Sequence, residues 1–482
     1  MTLQENVLKG ARRLGSRPGL KVLGELAAAR DLQVCLVGGT VRELALGGFS
    51  PDVDLAVSSQ TLELGKELAA ALGGTFVLLD EKERTVRVVW REEIFDLAEF
   101  RAPTLEGDLR GRDFTVNAMA LDLEAVLGRG PLVLLDPLGG LEDLSRGLLN
   151  MVAPENFYQD PLRLLRAYRF AATHGWRLTP ETTGAIRLYV PEFSRVAGER
   201  VHQELFLLLA APRAAAVLKE MDAAGLLAQI FPELEDAKGV EQDGYHHLDV
   251  FHHVLETVTR LEEVLRQPER WFDGLARELA AYAGRGPKAA LLKLAALFHD
   301  VGKPRVRDRR VDPDRYTFYY HEKVGVELFA GVAGRLRFSQ AEAKTVITLI
   351  QLHMRPFLLM PAFRQGELSF RALGRMVRAA RPELPGLFAL AMADSLAGQG
   401  PQKPGDVEMV LADLAEAAYR FLKERLEPQE SHPRLVSGHD LISMGLQPGP
   451  QFRRLLTAVQ EAQWEGTVHN REEALALVRR LR

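Results

Sequence analysis

The sequence predicts an α+β chain: a head of mixed β-sheet with helices over residues 1–140, then an all-α body. Three observations carry this. Short β-branched runs bounded by Gly, Asp and Pro crowd residues 33–140 and then stop. Beyond 158, apolar residues recur at three- and four-residue spacing, the period of a helix face. At 482 residues the chain is too long for one core, and 47% hydrophobic with 26% charged residues is ordinary for a globular protein of several domains.

Residues 1–30 read as a helix leading into the first strand. Strands are expected in VCLVGG, VDLAV, TFVLLD, VRVVW, EIFDLAEF and FTVNAMALDL, with one helix at 61–72, and LDPLGG at 135–140 is turn chemistry that closes the head. Helices are expected at 158–174, 181–189, 198–210 and 212–226. A region from about 245 to 400 carries most of the histidines on helical segments, QGPQKPG at 399–405 reads as a linker, and a last helical segment runs to Arg482. The domains expected are therefore 1–140, 141–235, 236–400 and 401–482, without an internal repeat.

Composition excludes several classes. No segment approaches the ~20 apolar residues of a membrane span, and no signal-like apolar core opens the chain, so a cytoplasmic protein is expected. The single cysteine, Cys35 in an apolar strand, rules out a disulfide framework and a cysteine zinc site. With 61 Lys and Arg against 65 Asp and Glu, the net charge of −4 does not announce a nucleic-acid binder. Yet Arg163, Arg166, Arg169, Arg177, Arg187, Arg195 and Arg200 fall between 160 and 200 without one Lys, and the planar arginine fork suits bases and phosphates.

The most informative run is LVGGTVRELALGGFSPDVD at 36–54. A strand enters Gly38 and Gly39, where the missing Cβ lets backbone N–H groups approach a phosphate. A helix start behind them, with Arg42 in its first turns, favours negative charge. Asp52 and Asp54 lie two apart on a strand and project from the same face. Such a pair beside a phosphate cradle suits two Mg²⁺ ions bridging a triphosphate and an attacking hydroxyl, the layout of nucleotidyl transfer. Alone, GG is a turn and DxD a solvated strand end; their ordered combination with Arg42 points to chemistry. A third carboxylate is expected at Asp96 in IFDLAEFR, with Glu99 on the other face the weaker choice. In GRDFTVNAMAL at 111–121, Arg112 is placed to reach the triphosphate or ribose, with Asp113 beside it and Asn117 near the sugar.

LVGGTVREL, DVD, RDFTVNAMA, QDPLRLLRAYRF and GERVHQEL, in this order over roughly 30–235, resemble the class II tRNA nucleotidyltransferases and bacterial poly(A) polymerases. The resemblance implies nucleotide contacts from Gly39 and Arg42, metal ligation by Asp52 and Asp54, and nucleotide binding by Arg112, Asp160, Arg163, Arg166 and Arg169. Two departures are visible: Gly111 where the family has a first Arg before Arg112-Asp113, and Gln159 where it has Glu before Asp160. Independently, Asp160, Arg163, Arg166 and Arg169 recur every three residues on an expected helix, so neighbours lie on adjoining faces. Cytosine and adenine each offer a donor beside an acceptor, which an Asp next to an Arg matches. Uracil and guanine reverse the order and would be refused by a factor of about 10⁴ or more.

HHLDVFHHVLETV, LFHDVGKP, YYHEKVG, LIQLHMRP and MADSLAG resemble the HD metal-dependent phosphohydrolases. That resemblance makes His253, His299, Asp300 and Asp394 core ligands and adds His321 and His353. Imidazole and carboxylate ligands of this kind suit a second divalent ion such as Mn, Fe or Ni. The leading expectation is thus a template-independent enzyme adding C and A, from CTP and ATP, to the 3′ acceptor end of tRNA. Rivals are a poly(A) polymerase, which usually carries a long basic tail that this sequence lacks, and a phosphohydrolase of RNA ends whose first half only binds RNA. Eleven residues separate Phe100 from Arg112. Members adding all three nucleotides generally have a longer loop there; a short one resembles the CC-adding subgroup, which leaves the last A to a separate enzyme, and both forms stay open. The segment SGHDLISMGLQPGPQFRRLL, with Arg453 and Arg454, is expected to grip tRNA phosphates.

Overall fold

Residues 2–311, 314–428 and 435–482 are described by a computed structural model. Contacts divide the chain into a first unit, Met1–Val196 with Ala223–Gln229, and a second, Ala197–Asp222 with Ile230–Arg482.

The first unit opens with two helices, Leu3–Leu14 and Pro18–Ala28, where one was expected. The break is built in. A Cβ on Gly15 would stand 2.1 Å from the Val126 carbonyl oxygen, and Pro18 starts a fresh helix at the position where its missing N–H costs nothing. The sheet has six strands: β1 Val34–Val37, β2 Asp52–Val57, β3 Thr75–Asp80, β4 Thr85–Trp90, β5 Glu93–Glu99 and β6 Ala120–Asp122. Their order is β3-β4-β5-β2-β1-β6, with β2 and β5 parallel and the other pairs antiparallel. Strand β2 alternates as its sequence requires: Val53, Leu55 and Val57 are buried on one face, and Asp52 and Asp54 share the other. Register sets Asp54 directly opposite Asp96 of β5.

Three expectations are corrected here. FTVNAMALDL is a strand only at Ala120–Asp122; Thr115–Asn117 forms a 3₁₀ turn. The cause is local, because Asp113 accepts from the N–H of Phe114 and from the Asn117 amide and so draws the chain off the ladder. The helix expected at 158–174 is two, Glu155–Gln159 and Leu162–His174. Pro161 excludes the helical region for the residue before it, and Asp160 sits extended at φ −136°, ψ 93°. Strands also recur after 140: Leu148–Leu149 pairs in parallel with Arg177–Leu178, and Asp308–Val311 pairs with Asp314–Thr317.

The second unit is mainly helical. Val250–Arg266, Lys288–Phe298 and Leu384–Ala397 form its centre, and the last of these is buried almost all round, as its unbroken apolar sequence demands. The expected linker at 399–405 is a packed turn: Gly400 donates to the Tyr245 carbonyl at 2.8 Å, and a Cβ there would stand 2.3 Å from the Gly244 oxygen. Leu441, Leu455, Val459, Ala474 and Val478 give the final helices a small core of their own, while Arg453 and Arg454 stay exposed. No single helix among the described residues is long and apolar enough to cross a membrane.

Candidate functional site

The turn from β1 into the helix Gly38–Ala45 meets the acidic face of β2. Gly38 has φ +58°, and a Cβ on Gly39 would lie 2.7 Å from Asp54 Oδ2, so both glycines are required by geometry. Thr40 ties the turn to the strand: its N–H donates to Asp54 Oδ2 at 3.2 Å, and its Oγ1 accepts from the Asp54 N–H at 2.7 Å. Asp52 is exposed beside it. Burial and the neighbouring Asp96 raise the Asp54 pKa, opposed by Arg112 and Arg42. A carboxylate held against a like charge is a site that gains from a cation, so the donor set fits a divalent ion. Asp96 reaches the same face, but Arg87 holds both of its oxygens, each at 2.7 Å. Glu99, the weaker candidate, is spent on Arg84 and the Thr61 N–H.

Arg112 leans over Gly38 and is fixed from behind by Asp108, through bonds of 3.1 and 2.8 Å. Asp108 is 1% exposed and also accepts from the backbone N–H of Arg101. It belongs to the short helix Leu105–Arg110, capped by Thr104, that fills the eleven-residue connection. Asn156 clamps the same segment by donating to the carbonyls of Arg110 and Arg112 at 2.9 and 2.7 Å.

A second network runs Arg42–Asn117–Asp113–Arg166. Arg42 bonds Asn117 Oδ1, the Asn117 amide donates to Asp113 at 2.9 Å, and Arg166 forks onto Asp113 at 3.0 and 2.8 Å. Phe170 anchors it, with Arg42, Arg166 and Arg169 guanidinium carbons 4.9, 5.6 and 3.7 Å from its ring centroid. Asp113 therefore positions cations from within the protein. Burial opposes its charge, but Arg166 and the Asn117 amide overcome that and depress its pKa. A depressed carboxylate stabilises the fold above the ordinary aspartate range and loses that contribution as pH falls below it. Asp113→Ala should cost roughly 3–5 kcal/mol at pH 7, with a smaller difference from the parent at acid pH. Denaturant melts at both pH values test this; equal differences would show that packing alone is at stake.

Asp160 and Arg163 are brought together at the broken helix start rather than along one helix. The Arg163 N–H donates to the Asp160 carbonyl at 3.1 Å. Arg163 is 9% exposed, and one guanidinium nitrogen is buried with no hydrogen-bond partner. Such a donor is costly unless something arrives to accept from it.

In the second unit all six expected ligands converge. Asp300 Oδ2 faces His299 and His253 Nε2 at 3.3 and 3.7 Å; its Oδ1 faces His321 and His353 Nε2 at 3.3 and 3.7 Å. Asp394 lies 3.0 Å from His253 Nε2. His299, His321 and His353 each set Nδ1 against a backbone carbonyl, of Ala296, Phe318 and Ile350, at 2.7–2.8 Å. This fixes the tautomer that turns a bare Nε2 inward. His321 and His353 then oppose Nε2 to Nε2 at 3.0 Å, two lone pairs that only a cation or a shared proton reconciles. Burial disfavours charge on His299, but Asp300 and Asp394 outweigh it and push its pKa up to about 10. The residues fit a divalent ion.

Several contributors were not singled out in the sequence. Thr40, Asp108 and Asn156 brace the head. Lys303 bonds Asp300 at 2.6 Å and Gln242 at 2.7 Å, and His246, held by Asp243 at 2.8 Å, joins His253 and Asp394 in a further ligand group. Asp108 carried a signal, its i,i+4 spacing to Arg112; Asn156 carried none.

Comparison with known proteins gives the same division of labour. The chain matches the poly A polymerase head domain at 34–150, the probable RNA and SrmB-binding site of polymerase A at 175–238, and the HD domain at 250–398. It is 36% identical over 456 residues to the A-adding tRNA nucleotidyltransferase of Deinococcus radiodurans, covering 92% of this chain and 94% of that one. It is likewise 36% identical over 453 residues to the CC-adding tRNA nucleotidyltransferase of Thermus thermophilus, covering 92% of each. Among solved structures, the Thermotoga maritima CCA-adding enzyme complexed with tRNA superposes over 100% of this chain and 99% of its own, with a TM-score of 0.64 at 19% identity, a likeness of fold.

Proposed function

This chain belongs to the tRNA nucleotidyltransferase family, and from that premise we propose that it extends the 3′ acceptor end of tRNA with C or A drawn from CTP or ATP. The observation that supports it most is the pairing, in one unit, of Asp52 and Asp54 at a helix start with a buried Arg163 that keeps an unmatched donor. The 3′-hydroxyl oxygen attacks the α-phosphorus, the bond to the bridging oxygen breaks, pyrophosphate leaves, and the hydroxyl proton passes to solvent. Mg²⁺ held by Asp52 and Asp54 would supply Lewis acidity at the hydroxyl and the triphosphate. The backbone at Gly38 and Gly39 cradles phosphate, and Arg112, braced by Asp108, neutralises it. Arg42, Asn117, Asp113, Arg166 and Arg169 shape the nucleotide pocket, and Asp96 with Arg87 borders the metal site. A cytoplasmic location is part of the same reading.

Asp160 accepts from the exocyclic amine of cytosine or adenine while Arg163 donates to the neighbouring ring nitrogen. Replacing either with Ala should therefore raise misincorporation of UTP or GTP at least tenfold relative to CTP or ATP. A lower rate with unchanged base choice would reduce the pair to a helix brace. The assay uses tRNA ending before CCA and tRNA ending in CC, each with CTP and with ATP. Addition of C alone to the first, of A alone to the second, or of both assigns the chain its share and says whether a partner enzyme is needed. Long A tracts on unrelated RNA would favour the poly(A) reading and sink this one.

A second reading is favoured by the opposed His321 and His353 nitrogens: the second unit hydrolyses a phosphate at RNA ends, such as a 2′,3′-cyclic phosphate, adding water across one P–O bond to leave a monoester and a free hydroxyl. A divalent ion such as Mn, Fe or Ni in the cluster would act as Lewis acid on the phosphoryl oxygen.

A further inference from the structure

The cluster of His321 and Asp300 lies in a cleft of about 970 Å³, near the upper end of what a bound small molecule occupies and more than a phosphate needs. Tyr245, Tyr319 and Tyr320 line that cleft. They are 49%, 59% and 64% exposed. Single exposed aromatics are common, but three on one cleft form an apolar mouth that water covers at a cost. Tyr320 adopts φ +67°, a left-handed conformation that bulky residues rarely take, and the next residue is His321, the first of its helix. The phenol rings are thus tied by the chain itself to a ligand of the cluster. Lys323 stands 4.4 Å from the Tyr320 ring centroid and Arg310 5.4 Å from that of Tyr319, so both rings are seated rather than loose. Lys403, which also lines the cleft, adds a cation to a site with a phosphate-sized charge to meet.

We propose that this mouth is a nucleobase subsite, so that the second unit takes a nucleoside carrying phosphate on its 2′ or 3′ oxygen and not phosphate esters at large. The inference rests on the phosphohydrolase reading above. Aromatic faces stack on every base, so the subsite separates nucleosides from other esters without choosing among A, C, G and U.

The test is calorimetric binding to the full chain loaded with Mn²⁺, using inorganic phosphate, 3′-AMP, and a short RNA ending in a 3′-phosphate with its 3′-hydroxyl control. 3′-AMP should bind at least about tenfold more tightly than phosphate. Tyr319→Ala and Tyr320→Ala should each remove most of that gap and leave phosphate affinity unchanged, while Tyr319→Phe and Tyr320→Phe keep it. A gap of zero, a gap untouched by both alanine variants, or Phe variants as weak as Ala would overturn the subsite while the phosphohydrolase reading stands. Failure of the loaded protein to bind phosphate, or failure to take up Mn²⁺, would overturn both. Tighter binding of the 3′-phosphate RNA than of 3′-AMP, beyond its hydroxyl control, identifies the RNA end as occupant; equal binding identifies the free nucleotide.

Discussion

Asp54→Ala should lower the rate of nucleotide addition to tRNA at least ~10³-fold without lowering the melting temperature of the first unit. The rate follows from charge: with the carboxylate gone, the helix start at Gly39 and Thr40 has no partner across from it to share a cation, and a step that turns on metal Lewis acidity loses its organiser. The stability follows from the sign of the pKa shift. Burial and Asp96 raise the Asp54 pKa, so at neutral pH its ionised form is less comfortable in the folded chain than in the unfolded one. Removing it relieves strain against Asp96 at the expense of one hydrogen bond from Thr40. Asp54→Asn separates the two effects, since it preserves an acceptor for Thr40 but no full charge, and should be as inactive as Ala. Single-turnover incorporation under Mg²⁺ with thermal melts alongside decides it. An active Asn variant would remove the metal-ligand assignment of Asp54, and a collapsed melt would make its role structural. Asp52→Ala, at an exposed position, should match the loss of rate with no change in melting.

What could be read from the sequence was whatever a period or a local rule enforces. The alternation of DVDLAV put Asp52 and Asp54 on one face, and the order of histidine motifs placed six ligands that the fold gathers from five separate helical segments. What escaped was decided by side chains bonding backbone out of turn. Asp113 is written beside Arg112 and was read as a pocket residue, yet its carboxylate is directed inward to Arg166, 53 positions away. Nothing local encodes that pairing. The split at Asp160 was legible in principle, since Pro161 follows it, but the three-residue spacing of acid and arginines hid the rule for residues before proline. Asp96 shows a third kind of failure: alternation gave its face correctly, but Arg87, its partner, arrives from β4 by register alone. The linker at 399–405 misled through composition, because glycine and proline also serve where backbone must pass close to backbone, as Gly400 does against Gly244.

Asp300 is where the second unit concentrates its electrostatics, and Asp300→Asn should abolish uptake of divalent transition metal by that unit. The side chain is 2% exposed and divides its two oxygens between His253 and His299 on one side and His321 and His353 on the other. Burial alone would raise its pKa, but His299 and Lys303 reverse that and hold it well below the usual carboxylate range. It is therefore an anion at any working pH, and the only group touching all four imidazoles in the distances above. Asparagine keeps the shape and removes the charge, which leaves Lys303 and the histidines facing one another without a counter-ion. Breaking such a buried set costs about 3–5 kcal/mol, so the variant should also melt earlier in the absence of metal. The measurement is metal content after dialysis against Mn²⁺ or Ni²⁺, made in an Asp54→Ala background so that the head contributes none. Stoichiometric metal in the parent and its loss in the Asn variant are expected, with tRNA extension by the otherwise unaltered Asp300→Asn chain retained because the catalytic carboxylates belong to the other unit. Metal retained by Asp300→Asn would mean that the ion sits on the His246, His253 and Asp394 group instead, and that the lone-pair opposition of His321 and His353 is resolved by a proton.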